Sequence, residues 1–189
     1  MMGNAFTAGV KPGGLTTTTE IQILLCWLAA RAKPPLLRAE LEDALLGEEL
    51  VNYFELADHL AGLCERGFLR EENGCYVLLP AGAEIAGMLG GDLPRSVRDT
   101  AERAVKAAQR RTRLRAQHPV RIVPAGSGQG WHVEGALRDM GSDIFSFSLF
   151  VPDEKTARQV QDNFLEKGDE VYSAVLSMLT DDSALRSSS

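Results

Sequence analysis

Cysteine is scarce in this chain: three in 189 residues, Cys26, Cys64 and Cys75, an odd number without metal-ligand spacing. Each lies in an apolar run, which reads as buried free thiols in a reducing compartment rather than a disulfide framework. Long apolar runs are missing too. The longest, residues 21–30, is far short of the roughly 20 residues that span a bilayer, and residues 1–14 lack a charged-then-apolar leader pattern. A cytoplasmic protein with no membrane partner is expected. The histidines are few (His59, His118, His132) and scattered over different elements, so they read as surface residues rather than metal ligands or triad members. Glycine is bunched at Gly126–Gly130, but without the Lys-Ser/Thr of a phosphate loop, the G-x-G-x-x-G spacing or a following helix, so it reads as a hairpin loop. Asp58 and Glu65 have no neighbouring base and read as a solvated face. No nucleophile and base are suitably spaced. No enzyme, catalytic residue, metal or cofactor is expected.

What is present is ordinary in amount and uneven in place. Hydrophobic residues make up 44% and charged residues 24%, the mix of a globular chain long enough for two small domains. The net charge of −6 conceals three blocks. Residues 1–92 carry six Lys/Arg against thirteen Asp/Glu, residues 93–118 eight against two, and residues 119–189 six against eleven. The chain is acidic, basic, acidic.

The most informative stretch is residues 52–79. Asn52 and Glu55 have capping-box spacing, with Val51 and Leu56 placed as a hydrophobic staple. A helix is predicted from there to Arg66, stopped by Gly67. Phe68-Leu69-Arg70 and Cys75–Leu79 flank Glu72-Asn73-Gly74, a strong two-residue hairpin signal. Upstream, Thr17 and Glu20 box the start of a first helix, about 18–32, that is apolar nearly all round. It must be covered by the domain's own core or by a partner chain. Pro34-Pro35 should open a second helix over 36–46. Helix, helix, glycine, hairpin is the pattern of a winged helix-turn-helix.

The predicted third helix keeps Tyr53, Leu56, Leu60, Leu63 and Cys64 on its inner face. Phe54, Glu55, Asp58, Ala61, Gly62 and Glu65 face outward. That outer face would enter a DNA groove, yet it offers three carboxylates and no cation, which phosphates repel.

Pro94 should open the longest helix, to about Gln117. Arg95, Arg98, Lys106, Arg110 and Arg113 fall in one stripe about 27 Å long, with Arg103 at its edge. Val97, Ala101, Ala104 and Ala108 form the opposite, small-residue side. From Pro119 the period becomes that of strands, over 120–123, 131–139 and 144–151. Asp153 and Asp169 are expected to cap two final helices. The expected fold is α+β: an N-terminal winged helix-turn-helix, a long linking helix, and a C-terminal antiparallel β-meander with covering helices. The division would be an arm (1–15), winged-helix domain (16–92), basic linking helix (93–118), small α+β domain (119–182) and polar tail (183–189).

The string Leu50-Val51-Asn52-Tyr53-Phe54, the hairpin, Val151-Pro152-Asp153-Glu154, Asp162-Asn163-Phe164 and Glu170-Val171-Tyr172, taken as an ordered set, resemble the domain-of-unknown-function 4364 family over about residues 16–180. The resemblance implies a transcriptional regulator with an N-terminal winged helix and a small β-rich C-terminal domain.

Two functions are therefore expected in competition. In the first, a homodimer binds duplex DNA, positioned by Arg95, Arg98, Lys106, Arg110 and Arg113, with Asn52 and Tyr53 at the helix N-terminus as base or phosphate contacts. Its copies would join through the apolar first helix, the alanine side of the long helix, or both. In the second, the winged helix has lost DNA affinity and docks a protein partner at Phe54 and Asp58. In that case the basic stripe would serve charge balance with neighbouring carboxylates, worth about 0–1 kcal/mol per exposed pair.

Overall fold

The computed structural model describes residues 10–12, 14–15, 17–126 and 130–180. Most of the expected arm, the end of the chain from residue 181 and the middle of the Gly126–Gly130 loop lie outside these. The chain is α+β, in two compact units, Met1–Arg110 and Arg111–Ser189.

The first unit runs α1 (Thr18–Arg31), β1 (Leu36–Leu37), α2 (Arg38–Gly47), α3 (Tyr53–Glu65), β2 (Leu69–Glu72), β3 (Cys75–Leu78), α4 (Pro80–Leu89) and most of α5 (Arg95–Gln117). Local chemistry sets the helix starts. Thr17 Oγ1 accepts the Glu20 amide at 3.2 Å, and Asn52 Oδ1 accepts the Glu55 amide at 3.0 Å, each satisfying a donor that the first helical turn leaves open. Gly67, at φ +71°, ends α3 in the left-handed region. Asn73 and Gly74 both take positive φ, the two-residue turn whose twist matches its strands.

One element departs from expectation. Leu36 and Leu37 do not begin a helix. They form β1, pairing antiparallel with Tyr76 and Cys75, so the sheet order is β1-β3-β2. Leu36 is completely buried, and the Leu37 amide donates to Glu40 Oε2 at 3.0 Å. The helix thus starts at Arg38. Burial of an apolar side chain on the sheet, about 1.5–3 kcal/mol, outweighs the weak helix signal of Pro35.

The first unit's core closes around α1. Ile21, Leu24, Leu25, Cys26 and Leu28 are buried there with Leu41 and Leu45 of α2, Leu56, Leu60 and Leu63 of α3, and Val97, Ala101, Ala104 and Ala108 of α5. Arg31 Nε reaches Glu102 Oε2 at 3.3 Å, and the Gln109 amide donates to Pro34 O at 3.0 Å, fixing α5 against the end of α1. Both surfaces expected to receive a second copy, the apolar α1 and the alanine side of α5, are covered by the chain itself. Tyr53 also departs from its expected inward place and is half exposed.

The second unit is a meander, β4 (Val120–Pro124), β5 (Trp131–Asp139) and β6 (Ser142–Val151), followed by α6 (Glu154–Thr180). The strands are antiparallel in the order β4-β5-β6. Register puts Val120, Ile122, Val133, Leu137, Phe147 and Val151 on one face, packed with Ala157, Val160 and Phe164 of α6. Asp153 caps α6 by accepting the Thr156 amide at 2.8 Å. The two helices expected here are both present, joined end to end as α6 across a kink at Lys167 (φ −122°, ψ 19°). There Gly168 is buried against the ring of His118, whose Nδ1 lies 2.8 Å from Leu165 O. Asp169 stands just past the kink, at the start of the second helix, as expected.

Candidate nucleic-acid interface

α3 presents its N-terminal end through Tyr53 and Phe54. Asn52 beneath them is buried, its side-chain oxygen taken by the cap. The two aromatic rings meet edge to face with centroids 5.9 Å apart, and Phe54 is 72% exposed. Apart from that edge contact with Tyr53, most of the apolar body of the Phe54 ring is open to solvent. Farther along, Asp58, Ala61 and Glu65 are exposed.

The outward face is less acidic than its sequence suggests. The Glu55 carboxylate is turned onto His59, with Oε2 at 2.9 Å from Nε2, and is only 16% exposed. His59 is not a surface residue: it is 4% exposed, and Gln22 of α1 approaches its Nδ1 at 3.4 Å. The spacing carried this signal, since His59 stands three residues after Leu56 and one before Leu60, inside the buried stripe. His118 is likewise buried, at 1%. Two of the three histidines expected at the surface are therefore interior.

On α5 the cations are neither hidden nor all unoccupied. Arg95, 88% exposed, lies 3.5 Å from Asp99, four residues on. Lys106, 71% exposed, donates to Glu102 Oε1 at 2.8 Å. The Glu102 carboxyl is held below its usual range, first by that hydrogen bond and then by Arg31, against the effect of burial. Arg98 is half-buried, and its Nε is buried with no hydrogen-bond partner among the described residues. Arg103 and Arg110 are exposed and no carboxylate among the described residues pairs with them. Arg113 is exposed as well and belongs to the second unit. Exposed pairs along one helix are worth little, about 0.3–0.5 kcal/mol, so a phosphate could displace Asp99 or Glu102 at small cost.

Among the described residues, no group of three or more His, Cys, Asp or Glu is placed to hold a metal, and no helix is long and apolar enough to cross a membrane. Burial pushes the Cys26 thiol up to about 11, with Arg66 pulling weakly the other way. It is a packing residue, not a nucleophile.

These features define an α+β protein whose first unit carries a helix, a hairpin and a cation-lined helix. The chain belongs to the family described as a domain of unknown function (DUF4364), whose model matches residues 21–179. No curated protein and no solved structure matches it.

Proposed function

We propose that the chain is a dimeric DNA-binding transcriptional regulator of the winged-helix type, held to duplex DNA mainly by the cations of α5. The order α1-β1-α2-α3-β2-β3, with β1 pairing to β3, supports the winged-helix reading. The observation that carries the DNA reading is the exposure of Arg103 and Arg110, which have no carboxylate partner among the described residues, with Arg95 and Lys106 paired there to carboxylates of their own helix. Each phosphate neutralised by such a cation releases counterions, so affinity would depend steeply on salt. Tyr53 lies at the positive end of the α3 dipole, where a phosphate is favoured.

The experiment is a salt titration of binding to random duplex DNA. Changing Lys106 and Arg110 to Glu should weaken binding at every sequence and lower the slope of log K against log salt by about two. An unchanged slope, or no binding by the wild-type chain at low salt, would defeat this reading.

A second reading rests on Phe54. An aromatic side chain so exposed, beside half-exposed Tyr53 and the Asp58 carboxylate, has the character of an interface anchor. The first unit would then dock a protein instead of DNA. In that case Phe54→Ala abolishes capture of the partner while the α5 variants leave it intact.

A further inference from the structure

The edges of the second unit's sheet are unlike each other. β4 is five residues long, carries Arg121 and is bracketed by Pro119 and Pro124, all devices that discourage another strand from adding. β6 has none of them. It runs ten residues, Ser142–Val151, without Lys, Arg or Pro. Its one charge, Asp143, is at its start and already accepts from Arg138 at 2.8 Å. Among the described residues nothing pairs with its outer edge.

The flanks of that edge are apolar. On the helix side a groove is lined by Phe145, Phe147, Leu149, Phe164, Val171 and Val175. On the other side Ile144 and Phe150 are exposed. Past the break at Lys167 the second half of α6 lies over this flank, with the Tyr172 ring 6.0 Å from that of Phe145. Beyond it Leu176, Met178 and Leu179 stand 45–80% exposed. Val171, Val175 and Met178 recur at helical spacing, a seam of the kind that packs on another helix.

We infer that a second copy of this chain covers this surface, β6 against β6 in antiparallel sense, with the second halves of α6 closing over the join. The inference deepens the dimer part of the proposed function and rests on it. Three observations select a second copy as occupant. The strand is self-complementary about a two-fold axis at Phe147: Phe147 would meet its own equivalent and Phe145 would meet Leu149 of the second copy on one face, while Ser146 would meet Ser148 on the other. Antiparallel pairing sets the two Asp143 carboxylates near opposite ends, roughly 27 Å apart at about 3.4 Å per residue, beyond the screening length. Parallel pairing would place them side by side. The area is also of the right order. A strand edge about 34 Å long and a helix layer about 20 Å long, each roughly 10 Å deep, present roughly 540 Å² in flat projection, close to the lower end, about 600 Å² per partner, of stable interfaces. The apolar surface of α1 and the alanine side of α5 are already covered by the first unit's own core.

The test is sedimentation of the full chain over a dilution series without DNA, with Leu149→Glu and, separately, Leu176→Glu with Leu179→Glu. Arg121→Glu on the opposite edge is the control. Wild type and control should sediment at twice the chain mass at about 10 μM, and each apolar-to-Glu variant should weaken association about 100-fold or more. Hydrogen exchange of the β6 amides gives a readout independent of any variant: protection at high concentration, lost on dilution. A wild-type monomer at about 50 μM would overturn the inference together with the dimeric regulator. A dimer indifferent to both variants, with β6 amides exchanging freely, would overturn this interface alone and leave the DNA reading standing.

Discussion

The two units dispose of apolar surface in opposite ways. In the first, α1 has almost no polar side, yet Ile21, Leu24, Leu25 and Leu28 are at most 2% exposed, because α3, α4 and β3 of the same unit pack directly on α1 within a shared core. In the second, the two halves of α6 alone face three strands and cannot cover them. Leu149, Phe150, Leu176 and Leu179 are left between 45% and 80% exposed. A helix that is apolar all round marks the centre of a unit, not its interface. An interface is better sought where a sheet edge is long, uncharged and short of cover.

The largest expected effect sharpens that contrast. Leu60→Ala in α3 removes a side chain that is 1% exposed and should cost about 2–5 kcal/mol, the transfer term plus the cavity left behind. Hydrogen exchange of the first unit's amides would register it. A cost under about 1 kcal/mol would mean that the first unit is far more loosely packed than described. Cys26 probes the same interior without a mutation. Its thiol is pushed up to about 11 by burial, and only the thiolate reacts. At pH 8 iodoacetamide should modify it about 100-fold more slowly than a free thiol. The rate should rise as pH climbs toward 11, provided that the fold persists. Mass spectrometry of timed samples reads the result, and rapid modification at pH 8 would contradict a closed α1 core.

Much of this was legible in the residues, for local reasons. Helix starts at Thr17 and Asn52, the Asn73-Gly74 turn and the limits of β5 follow from caps, positive-φ residues and alternation, which depend on neighbours in the chain. β1 was not legible: two leucines after Pro35 become a strand only because Tyr76 and Cys75, about forty residues on, present an open edge. Likewise, the burial of Gly168 beside the kink at Lys167 involves the ring of His118, about fifty residues earlier in the chain, which no local pattern announces. The cation stripe of α5 could be read from spacing, but which cations carry partners could not, since Arg31 reaches Glu102 from a different helix. The buried place of His59 was legible and needed only the same wheel as its leucine neighbours.

A smaller effect is expected at the α3 cap. Asn52→Ala removes the acceptor of the Glu55 amide and should cost about 1 kcal/mol. The loss is measurable by denaturant titration as a shifted midpoint with an unchanged slope. Asn52→Asp keeps an acceptor at the positive helix end and should restore most of it. If Asn52 instead served DNA directly, both variants would lose binding to a similar degree while differing in stability.

The smallest effect decides most about the comparison. Leu179→Ala and Phe54→Ala both truncate large apolar side chains that are already wet in a single copy, 80% and 72% exposed. Each should leave stability within about 0.5 kcal/mol in dilute solution. The two should then part company as the protein is concentrated. Stability gained by association depends on protomer concentration. If a second copy covers α6, the wild-type melting temperature rises with concentration, that rise is blunted by Leu179→Ala, and it is untouched by Phe54→Ala. If the rise is lost instead with Phe54→Ala, the copies meet through α3, and the contrast between a closed first unit and an open second one no longer locates the interface.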